Sequence, residues 1–137
     1  MKEAAGLKLV VVEQNFILRE KLANILSRNG KVGTVFQVSD PANLEPAVMA
    51  AEPDIVISDI GAAEGLAEIV NKLRRVFPRT VFCVYSDFMY SENQETVVRE
   101  AALDLGADFF IDVVHVLDVV GGIINETSIK RTVNGVL

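Results

Sequence analysis

One histidine, one cysteine, four prolines and no tryptophan are all that this 137-residue chain offers the chemistries those residues serve. With Cys83 alone there is no disulfide framework, and Cys83 with His115 alone makes no Cys/His metal centre. Positive charge is also short. Thirteen Lys and Arg stand against nineteen Asp and Glu, a formal net charge of −6. That balance speaks against nucleic-acid binding, which needs clustered cations on phosphates, and gives an anionic membrane surface nothing to attract. Long apolar runs are missing too. The greasiest stretch, Val113–Ile124, is interrupted by His115, Asp118 and the pair Gly121-Gly122, and falls short of the ~20 residues that span a bilayer. Near the N-terminus the apolar core is only Leu9–Val12, too short for a signal peptide's hydrophobic region. The expectation is a soluble, cytoplasmic protein with Cys83, inside "TVFCVYS", as a buried thiol.

Against those absences, half of the residues are hydrophobic, enough for one real core. Five short runs read as strands: Leu7–Val12, Thr34–Val38, Asp54–Ser58, Thr80–Tyr85 and Phe109–Val113. Three are continuously apolar, the mark of strands covered on both faces. Helical spacing fills the gaps. "NFILREKLANILSRNG" sets Ile17, Leu18, Leu22, Ile25 and Leu26 along one stripe, and Asn29-Gly30 stops it. Asp40 with Pro41 is a start signal, but Pro46 implies that this helix begins late or kinks. "AEGLAEIVNKLRRVFP" and "SENQETVVREAALDLG" follow, the second opened by a capping box of Ser91 and Gln94. Gly121-Gly122 marks close packing, a break or an early end in the last helix. Alternation of strand and helix five times predicts a parallel sheet with right-handed crossovers. One domain over 1–137 is expected, with a core of about 7–126 and a tail, 127–137, that strays from it.

In such sheets ligands bind beyond the carboxyl ends of the strands, where the strand order reverses. The residues delivered there are Glu13 and Gln14, then Asp59 closing "DIVISDIG", then Ser86 and Asp87, then Asp112, Val113 and Val114. Each alone marks only where a strand meets water. Together, two carboxylates and a hydroxyl aimed at one crevice outline a pocket.

These segments resemble the receiver domains of response regulators in two-component signalling, over about residues 7–126. "LVVVEQN" resembles the family's first strand ending in an acidic pair. "PDIVISDIG" resembles the phosphoacceptor segment, "VFCVYSD" the strand ending in a Ser or Thr, and "GADFFIDVV" the entry to strand five. The resemblance implies a flavodoxin-like (βα)5 doubly wound parallel sheet in the order 2-1-3-4-5. It implies a signalling module rather than an enzyme, with Asp59 accepting a phosphoryl group from a histidine kinase. Mg²⁺ would be held by Glu13, Gln14, Asp59 and the backbone carbonyl of Gly61, with Ser86 on a phosphoryl oxygen and Phe110 as the switch aromatic. The implied partner surface is the face of helix four, strand five and helix five, about residues 92–126, with homodimerisation through it open. Val97, Val98, Phe109 and Val116–Val120 are candidates there for core or contact.

The chain departs from the family pattern in ways that weaken the switch. Gln14 is neutral where the second acid stands, so any Mg²⁺ is expected to bind weakly or not at all. The position of the family's lysine, counted from Gly106, is Val113, and no lysine lies between Lys72 and Lys130. One lost donor of this kind costs on the order of 3 kcal/mol in a transition state. Phe110 replaces the commoner tyrosine, and the segment after Ser86 is about five residues longer than usual, implying a longer loop or helix. Three readings follow: a degenerate receiver acting by protein–protein contact, an active receiver phosphorylated on Asp59 with Mg²⁺, and a flavodoxin-like small-ligand binder. The last lacks a Gly-rich loop after strand one, because "EQNFILRE" turns directly into a helix.

Overall fold

The computed structural model describes residues 6–59, 66–86, 92–104 and 106–133, without the side chains at 41, 66, 67, 92–96, 98, 113 and 133. Its strands are β1 (Leu7–Val12), β2 (Val32–Val38), β3 (Ile55–Asp59), β4 (Val81–Ser86) and β5 (Phe109–Asp112). Its α-helices are α1 (Phe16–Ser27), α2 (Leu44–Ala51), α3 (Leu66–Val76), α4 (Glu92–Asp104) and α5 (Val116–Val133). All four strand pairs are parallel, and the sheet runs β2-β1-β3-β4-β5. This is the expected doubly wound, flavodoxin-like (βα)5 arrangement.

The central strands β1, β3 and β4 are buried on both faces, which is why their sequences read as apolar runs. Alternate residues feed two cores. Leu9, Val11, Ile55, Ile57, Cys83 and Ile111 meet Leu22 and Leu26 of α1 and Val116, Val120 and Ile124 of α5. Val10, Val12, Val56, Phe82 and Val84 meet α2, α3 and α4 through Leu44, Val48, Val70, Leu73 and Ala102.

Several boundaries moved for identifiable reasons. α2 does start late, at Leu44: Asp40 Oδ1 accepts from Ala42 N at 2.9 Å and a 3-10 turn covers Pro41–Asn43, which puts Pro46 in the first helical turn. β5 ends at Asp112, one residue early, because Val113–His115 forms a 3-10 turn in which Asp112 Oδ1 accepts from Val114 N at 3.1 Å. β2 gains Val32 and Gly33 by pairing beside β1, and β3 and β4 each begin and end one residue later than expected. On α1, the buried row is Leu22, Ala23 and Leu26. Ile17, 76% exposed, and Ile25 belong to the expected stripe but lie off the buried row, since the 18–22–26 ridge is what faces the sheet. Gly121-Gly122 neither breaks nor ends α5, and no neighbour lies within 4 Å of a Cβ built on either glycine. The helix continues through the expected tail to Val133, and Arg131 reaches Asp54 Oδ2 at 3.4 Å. The proposed cap at Ser91 lies outside the described residues.

The Gly-Ala-Asp entry to β5 has a mechanical reading. Gly106 takes φ +100°, and a Cβ there would sit 3.1 Å from Val70 Cγ1. Arg74 donates to Gly106 O at 2.6 Å and to Asp108 Oδ2 at 2.8 Å, and the same Asp108 oxygen accepts from Phe82 N. The turn is thereby clasped to α3 and β4.

Two predictions follow from this packing. Gly106→Ala lowers the unfolding free energy by about 1–2 kcal/mol, read from urea denaturation. Burial, and secondarily Asp108, pushes the Cys83 thiol up from 9.0 to about 12. The unfolded thiol loses its proton above pH 9 while the native one keeps it, so this contribution to stability is full below pH 9 and falls as pH rises towards 12. Urea midpoints across that window, with Cys83→Ala as the reference, measure it.

Candidate functional site at the carboxyl edge of the sheet

The strand order reverses between β1 and β3, so the crevice opens where those two strands end. Register sets what meets there. Val12 pairs with Ser58, Asp59 with Tyr85, and Ser86 with Asp112. Glu13, one residue beyond Val12, is therefore level with Asp59, and Ser86 ends the next strand. Alternation sends Glu13, Asp59 and Tyr85 to the face covered by α1 and α5, because Val11, Ile57 and Cys83 lie there.

Glu13 is 3% exposed, and both carboxylate oxygens are taken. Oε1 accepts the phenolic O–H of Tyr85, which is itself fully buried. Oε2 accepts Asn15 N–H at 2.8 Å. The backbone joins in: Glu13 N–H donates to Val38 O at 3.0 Å, and Arg19 Nη1 donates to Glu13 O at 2.8 Å. Asn15 then caps α1, its Oδ1 accepting from Leu18 N at 3.0 Å. A buried carboxylate requires donors, and these supply them. The first strand, the first helix and β4 are joined through this one side chain.

Asp59 is half-buried, with Oδ1 sealed from solvent. Ser86 is 2% exposed at the end of β4. Gln14 is exposed in the bend between β1 and α1. Phe110 is half-buried against the second core, with the Arg99 guanidinium 5.8 Å from its ring centroid. Val113 opens the 3-10 turn directly after β5, and its side chain is outside the described set. Gly61 and Asp87 lie outside the described residues. Of the later basic residues, Lys130 pairs with Glu126 at 3.2 Å and Arg131 with Asp54, at the opposite end of the sheet from Asp59.

Mg²⁺ takes oxygen ligands in near-octahedral array; here each carboxylate oxygen of Glu13 already accepts one hydrogen bond and Gln14 is uncharged, so the described residues offer it less charge than an acidic pair. No group of three or more His, Cys, Asp or Glu among the described residues is placed to hold a metal ion. Tyr85 was missed by the sequence reasoning. Its signal was available, since in "VFCVYS" it shares the parity of Cys83 and directly precedes Ser86.

The candidate partner face divides. Val116 and Val120 belong to the core, whereas Val97 is 67% exposed and Phe109, Val119 and Leu103 are also exposed. The side chain of Val98 lies outside the described residues. No helix among those described is long and apolar enough to cross a membrane.

No protein-family model and no curated protein sequence matches this chain. Solved structures do. The receiver domain of Francisella response regulator 1452 superposes with a TM-score of 0.68 at 17% identity, covering 93% of this chain and 99% of that one. A response regulator receiver domain from Clostridium thermocellum gives 0.70 at 14% identity over 93% and 98%. The N-terminal domain of an uncharacterized Wolinella succinogenes protein gives 0.66 at 21% identity over 92% and 99%. The chain has the fold of response-regulator receiver domains.

The Glu13 clamp has a measurable consequence. Tyr85→Phe leaves a buried carboxylate oxygen short of its donor and lowers stability by roughly 1–3 kcal/mol in urea unfolding. A change under a few tenths would mean that the phenol does not hold Glu13 in solution.

Proposed function

We propose that this chain is a receiver module of two-component signalling whose phosphoryl switch is degenerate, and that it acts through protein–protein contact. One observation carries the reading: both oxygens of Glu13, the one acid kept from the family's metal-binding pair, are engaged by Tyr85 and by the backbone of Asn15. Gln14 adds no charge, and Val113 offers no donor where the family has lysine. Phosphoryl transfer to an aspartate brings two anions together, and its catalysis is almost wholly cationic and positional. Asp59 and Ser86 are kept at neighbouring strand ends, but the cations that would serve them are not supplied by Glu13, Gln14 and Val113. The module then binds rather than catalyses.

The α4–β5–α5 face supports the partner half of this reading. Val97, Leu103, Phe109 and Val119 expose apolar surface there. The partner is a signalling protein, a histidine kinase or a downstream component, with self-association through the same face as the homotypic version. A single domain spanning 1–137 in the cytoplasm is consistent with this role.

The retention of Asp59 and Ser86 at the ends of neighbouring strands is the observation that favours the alternative, a slow but active receiver phosphorylated on Asp59. Intact mass after incubation with acetyl phosphate and Mg²⁺ separates the two. No phosphoryl adduct is expected. An adduct of one phosphoryl group that disappears in Asp59→Asn establishes the active receiver instead. Val113→Lys combined with Gln14→Asp is expected to raise labelling about a hundredfold, the effect of restoring one preorganised donor worth on the order of 3 kcal/mol. A folded double variant with no gain places the lysine position elsewhere.

A further inference from the structure

At the amino end of the sheet, away from Asp59, lies a cavity of about 460 Å³. Its wall comes from the start of β1, the segments entering β3 and β4, and the last turns of α5. Four cations converge on it, Lys8, Arg79, Lys130 and Arg131, against two carboxylates, Glu52 and Asp54. That surplus of positive charge stands out in a chain whose net charge is −6. Only part of it is offset from within: Asp54 Oδ2 accepts the backbone N–H of Lys8 at 2.8 Å and pairs with Arg131 Nη1 at 3.4 Å. Among the described residues, neither Lys8 Nζ nor the Arg79 guanidinium enters an ion pair, and Lys130 has only an exposed one to Glu126.

A second cavity of about 300 Å³ adjoins the first, sharing Glu52, Asp54 and Arg79 and adding Phe77 and Pro78. The first hollow is cationic, and the second is walled in part by apolar and aromatic side chains. Two arginine forks beside two lysines match phosphate oxygens, which take both bidentate and point-charge donors. The combined size is within the usual range of small-molecule sites.

From this juxtaposition we infer that the amino end of the sheet binds a phosphorylated small molecule, its phosphate among Lys8, Arg79, Lys130 and Arg131 and its apolar or planar body against Phe77 and Pro78. The site is independent of the phosphoryl chemistry at Asp59 and of the degenerate-receiver reading. A ligand there would join the end of α5 to the starts of β1 and β4, so its occupancy would be felt by the helix that borders the partner face.

Amide NMR shifts during titration with AMP, pyrophosphate and inorganic phosphate test the inference on the whole chain. Saturable shifts at Lys8, Asp54 and Arg131 are expected, with AMP at least tenfold tighter than inorganic phosphate. Arg79→Ala with Lys130→Ala, both on exposed side chains, should raise the AMP midpoint tenfold or more while leaving the spectrum of the fold intact. Shifts reproduced by NaCl at matched ionic strength, or a midpoint unmoved by the double variant, overturn the site. Equal affinity for AMP and inorganic phosphate overturns the assignment of the second cavity. Shifts centred on Glu13 and Asp59 would move phosphate binding to the other end of the sheet and overturn it here.

Discussion

A carboxylate sealed from water must be given donors, and at Glu13 that requirement organises one whole end of the molecule. The phenol of Tyr85 crosses from β4 to reach it, the backbone of Asn15 turns to meet it, and Arg19 of α1 returns to its carbonyl. The same turn sets Asn15 to cap α1. The interaction thus fixes where the first helix leaves the sheet. The carboxylate at the strand-order reversal is itself part of what holds the fold, with one hydrogen bond on each oxygen.

The two edges of the sheet differ in character. At the carboxyl edge, acids and a hydroxyl are buried or half-buried, and the ion pairs of Lys130 and Arg131 are formed elsewhere. At the amino edge, Lys8, Arg79, Lys130 and Arg131 gather around Asp54 and Glu52. α5 connects these regions. It packs Val116, Val120 and Ile124 into the core and carries Lys130 and Arg131 in its last turn. Its length matters, because without the turns beyond Gly121-Gly122 the amino-end cations would not assemble.

Most of the fold was legible in the sequence because its periodicities are local. The apolar runs of β1, β3 and β4 report burial on both faces. Proline and glycine punctuate the helices, and Asp40 with Pro46 gave a late start to α2 correctly. Boundaries failed where a side chain intervened in the backbone, as Asp112 does when it ends β5 by accepting from Val114 N–H. α5 was underestimated because glycine's helix penalty, about 1 kcal/mol each, was weighed without the packing of Ile123 and Ile124 beside the pair. Ile17 and Ile25 looked like core because a stripe of five apolar residues is wider than the row that a sheet can cover.

The amino-acid order by itself determined five strands, five helices, their parallel arrangement, the delivery of Glu13, Asp59 and Ser86 to one edge, and the absence of lysine at Val113. Those are properties of composition and of short-range spacing. Only the tertiary structure decided that Tyr85 donates to the carboxylate of Glu13, and that Lys8, Arg79 and Arg131, more than fifty residues apart in sequence, share a cavity. The reason is physical. Periodicity fixes which face a side chain takes, but which donor satisfies a buried acid depends on the register between strands that meet only once the chain has folded.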